Sequence, residues 1–330
     1  MKNIFLFSIL FSILFLSCET EVDVNAPWED VTVVFGLLDQ SQNEQYIRIN
    51  KVFLGAESAM NMASVADSIN YKPSDLLVRI SKMNSSGDIL SVRTLDTVML
   101  FKDDGMFAND ENIVYTFNNN DNFLDDSRSY FLEIENIKSG KIISGSTELI
   151  RPFQIQTYNH WFNNGIGLVN SQDLSLNSYK IEWLPSNGEI YQMTLLFNYT
   201  EYGLIDTVEK TIKKVYPIQN RSEEMDQNID AQELLIHIEN NIDDNNLVQA
   251  RRFNDIDLVF NVGSSQLNTY ITINEPSSSI VQERPGYTNM TNGIGIFSSR
   301  YTATVEGINL TSATKEAIRN NLSDLYFVYP

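Results

Sequence analysis

From residue 31 to residue 150 short apolar or alternating runs are separated by clusters of Asn, Asp, Gly or Ser, with no internal repeat. Residues 31–38 are almost wholly apolar, as in a buried strand, and in the next run Ile47 and Ile49 alternate with Arg48 and Asn50. Residues 55–71 are polar and read as a loop. Residues 76–83 and 89–95 flank Asn84-Ser-Ser-Gly-Asp88, a hairpin turn. Further strands fall at 113–117 and 130–137, where Tyr130, Leu132 and Ile134 alternate with Phe131, Glu133 and Glu135, and Ser139-Gly140 turns the chain into 141–150. About seven strands in roughly 120 residues predict an immunoglobulin-like β-sandwich, here over residues 28–150, with Arg151-Pro152 as its boundary.

Residues 151–330 continue the pattern with strands expected at 153–158, 179–184, 192–202, 207–216, 257–262 and 270–273, and a terminal strand at 325–329. Between them residues 229–242 carry Ala231, Leu234, Leu235, Ile238 and Ile242 on one helical stripe, with Asp230 and Glu233 spaced as a cap. A last amphipathic helix follows Thr311-Ser312, turning Ala317 and Ile318 inward. The fold class is therefore mainly β: an immunoglobulin-like sandwich plus a second β-rich domain with one or two short helices. Eighteen Phe and fifteen Tyr reinforce the strand bias.

Stability must come from packing alone, because Cys18 is the only cysteine. That cysteine ends an N-terminal stretch in which Lys2 precedes an apolar run at 4–16, shorter than the ~20 residues of a spanning helix. Residues 1–17 are thus expected to be a signal peptide. Leu14 to Cys18, with small Ser17 before the thiol, resembles a bacterial lipobox, which implies acylation of Cys18 and cleavage before it. Residues 18–27 then form an acidic tether, and Glu19, Glu21 and Asp23 resemble the surface-export signal of lipoproteins from Bacteroidetes-type bacteria. With 43 acidic against 23 basic residues the chain repels phosphate backbones, so nucleic acid is excluded as a partner.

The segments Cys18-Glu-Thr-Glu-Val-Asp-Val24, Val33-Val-Phe-Gly-Leu-Leu-Asp39 and Tyr46-Ile-Arg-Ile-Asn-Lys51 resemble an uncharacterised family of Bacteroidetes outer-membrane lipoproteins. Tyr287 to Phe297 is similar to that family's closing motif. The resemblance implies an outer-membrane, lipid-anchored protein facing the exterior and associated with TonB-dependent receptors, and it supplies no catalytic residues to carry over.

Chemistry-bearing motifs are sparse. A Ser-His-Asp hydrolase would need His160 or His237; the helical register puts His237 on the polar face, and His160 sits in an aromatic segment that favours packing. Ser312-Ala-Thr-Lys315 spells a nucleophile motif but lies at a helix start, where capping accounts for it. Residues 102–112 and 118–126 are Asp- and Asn-rich loops of the kind calcium uses, without its ligand register, so no metal or cofactor is expected. Gly293-Ile-Gly295 lacks the setting of a phosphate cradle and fits a turn or a close backbone approach. Tyr158, Trp161 and Phe162 are candidates for stacking on a glycan or peptide, with inter-domain packing as the alternative. Asp67-Ser-Ile69, Asp96-Thr-Val98 and Asp206-Thr-Val208 resemble an O-glycosylation sequon of these bacteria, implying sugar on Ser68, Thr97 and Thr207. The expected function is a non-enzymatic, ligand-capturing or accessory partner of an outer-membrane transporter. A structural or adhesive surface module is the alternative, and a carboxylate-dependent hydrolase is less favoured.

Overall fold

The computed structural model describes residues 31–52, 69–100, 112–157, 164–243, 247–275 and 286–328. The first half supplies β1 (Val31–Leu38), β2 (Glu44–Val52), β3 (Leu76–Met83), β4 (Ile89–Thr94), β5 (Asp96–Met99), β6 (Ile113–Asn118), β7 (Ser129–Asn136) and β8 (Ile142–Glu148). β4-β3-β7-β8 form a four-stranded sheet that packs face to face on β1, β2, β6 and β5. The strands alternate because each sheet has one buried face: Val34, Ile47 and Ile49 meet Val78, Ile80, Leu132 and Ile134 in the core between them. Tyr130, near the start of β7, donates its hydroxyl to Phe123 O at 2.9 Å and accepts from the Asp125 amide at 2.7 Å. Such a tyrosine tie between a strand and the turn before it recurs in immunoglobulin-like sandwiches. Burial pushes the Tyr130 phenol up to about 12.

The second half adds β9 (Gln154–Ile155), β10 (Ser178–Leu184), β11 (Ile190–Gly203), β12 (Thr207–Val215), β13 (Gln219–Asn220), β14 (Met225–Asp230), helix α1 (Ala231–Asn240), β15 (Val248–Gly263), α2 (Ser265–Asn274), β16 (Ile294–Ile308) and α3 (Ser312–Asn321). β14-β10-β9 form a small sheet, and its Trp183 and Ile181 pack into a core with Phe197, Phe260 and Leu258 of β11 and β15. Tyr191, like Tyr130, takes a hydrogen bond on its hydroxyl from a nearby turn, here the Ser186 amide at 2.8 Å.

One strand belongs to both bodies. Residues 294–299 of β16 pair in parallel with β1, and from Arg300 onward the same strand pairs antiparallel with β15. The result is a nine-stranded sheet in the order β12-β11-β15-β16-β1-β2-β6-β5, with β13 beside β11. Phe297 and Met290 enter the core of the first sandwich, although they lie far along the chain from it. Close approach of β16 to β1 needs glycine: Gly295 has φ +106°, and a Cβ there would overlap the Val34 carbonyl oxygen.

α1 is capped by Asp230, whose carboxylate accepts from the Glu233 amide at 2.9 Å, and it buries Ala231, Leu234 and Ile238. α3 is capped by Thr311 and buries Ala317 and Ile318. Two expectations fail. Residues 270–273 are helical, within α2, because the Ser264 hydroxyl caps a helix there. Residues 325–329 form no strand among the described residues; a 3-10 turn at Ser323–Leu325 leads to a single bridge between Phe327 and Arg251. Arg251 explains the bridge. It is 2% exposed, donates to Glu201 at 2.8 Å and to Leu325 O at 2.8 Å, and its amide donates to Tyr326 O. None of the described helices is long and apolar enough to cross a membrane.

Two outcomes follow from this packing. Gly295→Ala should cost about 3 kcal/mol or more, read as a shift of the urea midpoint, whereas Gly307→Ala, with φ +69° and open space around its Cβ position, should cost only about 1 to 2 kcal/mol. Burial pushes the Glu201 carboxyl up, but hydrogen bonds from Lys210 and Arg251 outweigh it and hold the group below the usual range. Its contribution is therefore complete above the unfolded value of about 4.3 and disappears as pH falls through the lowered one. The stability gap between wild type and Glu201→Gln should narrow in urea titrations from about pH 6 to pH 3.

Candidate functional site

Strand alternation puts Phe35 and Leu37 of β1, Tyr46 and Arg48 of β2, and Ile296, Ser298 and Arg300 of β16 on the face of the nine-stranded sheet turned away from the sandwich core. Phe35 pairs across the sheet with Arg48 on one side and Ile296 on the other. α2 crosses this face beside β16. Its start is pinned there: the Ser264 hydroxyl accepts from the Leu267 amide and meets the Ser298 hydroxyl, which also donates to Gln266 at 3.2 Å. The helix so placed sets Tyr270 edge-on to Phe35, with ring centroids 6.0 Å apart at 80°.

Between α2 and β2 lies a groove of about 360 Å³, within the range of small-ligand sites. Phe35 and Tyr46 stay 41% and 45% exposed on its floor, although each is a large aromatic surface. At one end Arg300 is half-exposed, with its Nε 3.3 Å from Asp39 Oδ2. Asp39 is buried and saturated by the protein: Oδ1 accepts from the Ser41 amide at 3.0 Å and hydroxyl at 2.6 Å, and Oδ2 from the Thr302 hydroxyl at 2.9 Å. Gln45 locks the same turn, accepting from the Asp39 amide at 2.9 Å. Glu44 also lines the groove and accepts from Asn118 at 2.7 Å and Thr116 at 3.3 Å, which holds its carboxylate toward β6. An aromatic floor with a cation at one end offers a ligand apolar area and a charged contact.

A second hollow, of about 340 Å³, lies on the other side of the α2 start and is lined by Ser, Thr and Asn. Several of its polar groups are used internally. Ser299 donates to Glu148 O at 2.6 Å, and Asn187 donates to Leu149 O at 3.0 Å while accepting from the Arg151 amide at 2.8 Å. These bonds join the two halves of the chain and offer little to a ligand.

Of the residues singled out from the sequence, Cys18, Glu19, Glu21, Asp23, Ser68, Tyr158, His160, Trp161, Phe162 and the loop at 102–111 lie outside the described residues. The aromatic group described at that boundary is Phe153, packed edge-on to Tyr191, Phe260 and Tyr301. Thr97, in β5, and Thr207, opening β12, are both exposed. His237 is half-buried on α1, its Nε2 3.0 Å from Lys213 O. In the 118–126 loop the acids are engaged by protein groups: Asp121 pairs with Arg93, which stacks 4.2 Å from the Phe123 ring. Hydrogen bonds from Ser127 lower the Asp125 carboxyl below its ordinary range, aided by Lys82 and Arg128. Among the described residues no group of three or more His, Cys, Asp or Glu is placed to hold a metal.

Sequence reasoning missed the groove. Phe35 and Tyr46 were visible in strand patterns, but Tyr270 was assigned to a strand and Arg300 to no element.

No protein-family model matches the chain, and neither does any curated protein. Among solved structures, trypsin-activated alpha-2-macroglobulin from Escherichia coli is similar at 10% identity, covering 72% of this chain and 15% of that one, with a TM-score of 0.19. The chain thus spans a small part of that protein, and a likeness at this score carries no argument for fold or function.

The roles of Asp39 and Arg300 separate by stability. Asp39→Ala removes three hydrogen bonds from a buried turn and should cost about 2 to 3 kcal/mol, while Arg300→Gln, at a half-exposed pair, should cost less than about 1 kcal/mol. Chemical denaturation of both variants checks the ordering.

Proposed function

We propose that this chain is a surface-exposed, lipid-anchored outer-membrane protein that captures a ligand for, or completes, a TonB-dependent transporter, without enzymatic activity. The observation that carries the placement is the Leu14-to-Cys18 lipobox followed by Glu19, Glu21 and Asp23. Acyl chains contribute ~0.8 kcal/mol per buried methylene, so two or more give firm attachment without a spanning helix. The capture role draws on the open aromatic groove of Phe35, Tyr46 and Tyr270.

A structural or adhesive module is the second reading, and one feature favours it. The β11–β12 hairpin ends in Leu204 and Ile205, the latter 90% exposed, beside exposed Leu247. Apolar side chains on an open tip suit insertion into a partner's pocket.

Metabolic labelling with a palmitate analogue tests the anchor. The wild type should take up label and fractionate with outer membranes, and Cys18→Ala should do neither. Affinity isolation of the labelled protein from native membranes should bring a TonB-dependent receptor with it. An unlabelled wild type, or a Cys18→Ala protein still in the membrane fraction, contradicts the placement; isolation without a receptor contradicts the transport role.

A further inference from the structure

We infer that the groove takes a carboxylate carried on an aromatic or apolar body, the carboxylate meeting the Arg300 guanidinium and the body lying on Phe35, Tyr46 and Tyr270. This deepens the capture reading and rests on it.

The inference starts from what the chain does with its cations. In a protein of net charge −20, guanidinium groups are mostly taken up by carboxylates. Arg251 is buried against Glu201, Arg79 lies between Glu133 and Glu135, and Arg93 is held by Asp121. Arg300 is the guanidinium that lines the groove. Its approach to Asp39 is through Nε, 3.3 Å from Oδ2, and among the described residues its two terminal nitrogens donate no hydrogen bond at this half-exposed site. A guanidinium held in this way presents two parallel N–H donors, the fork that a planar carboxylate accepts.

The rest of the groove defines the body of the ligand. Beyond Arg300 the floor is Phe35, Leu37 and Ile296, walled by Leu267 and Tyr270, with Tyr46 open to solvent. Such a surface binds by area and by ring faces, and rewards a flat apolar group over a hydrated sugar. Glu44 also lines the groove, and its carboxylate, held by Asn118 and Thr116, repels a second negative charge beside it. The site therefore suits a monoanion.

Free aromatic acids and the C termini of peptides share this chemistry. Calorimetric titration of the full chain in detergent distinguishes them with matched probes: 3-phenylpropionate against 3-phenylpropionamide, and acetyl-Ala-Ala-Phe with a free against an amidated C terminus. The acid should bind about tenfold more tightly than its amide in at least one pair, and the pair with the tighter acid names the source. Arg300→Gln should abolish the preference, with Arg300→Lys retaining part of it. Tyr270→Ala should weaken acid and amide alike, and Glu44→Gln should leave acid binding equal or tighter. Circular dichroism confirms that each variant is folded. Equal affinity of acid and amide, a preference that survives Arg300→Gln, or no saturable binding of any probe overturns the assignment. None of these results depends on lipidation or on a receptor, so the anchor reading stands or falls separately on the palmitate labelling.

Discussion

The parallel pairing of β1 with β16 is the constraint on which the rest of the structure depends. Parallel strands require a crossover, and here it is very long: the chain completes the first sandwich and nearly all of the second half before Ile294 returns to lie beside Val33. The same strand then continues to pair with β15. A strand shared in this way cannot leave one sandwich without stripping an edge from the other. The groove inherits the arrangement. Phe35 and Tyr46 come from the first half of the chain and Tyr270 and Arg300 from the second, and β16 brings the two sets onto one face.

Much of this architecture is legible in the sequence where burial is one-sided. β2, β3, β7 and β10 alternate because one face of each meets a core, and α1 shows its stripe because Leu234 and Ile238 are buried while His237 is not. Caps were equally legible, at Asp230 and near Thr311. What the sequence hides is the organising strand itself. β16 begins within the Gly293-Ile-Gly295 segment, where the sequence suggests a turn or a close backbone approach and the second holds, and it continues through Ser298, Ser299, Arg300, Thr302 and Thr304, a polar run that shows no strand pattern. Its glycines are there for close approach to Val34 and Thr32, and its hydroxyls for bonds to Ser264, Glu148 and Asp39. The opposite error occurs at residues 270–273, whose β-branched and aromatic composition favours a strand in isolation. A Ser264 cap tied to Ser298 makes that segment helical, and this long-range tie has no local signature.

Charge follows the same division between structure and availability. Most described acids near the cores are answered by a particular cation or by turn amides, as at Glu201, Asp121 and Asp125. These pairs stabilise turns and strand ends, and they leave little for chemistry. The groove departs from the pattern in two respects at once, with large aromatic surface exposed on a sheet face and a cation oriented from behind. Its carboxylate support, Asp39, is buried while the cation is half-exposed, so the guanidinium is the member of the pair that solvent reaches.

The central claim is that one strand makes the two sandwiches a single cooperative body and thereby creates the groove. Native-state hydrogen exchange under increasing urea measures this directly, since amides that open together share one free energy and one urea dependence. Amides of residues 34–36 in β1 and of residues 258–262 in β15 should converge on the same opening as those of β16. Two separate openings, with β1 released at lower urea while β15 and β16 remain protected together, would contradict it.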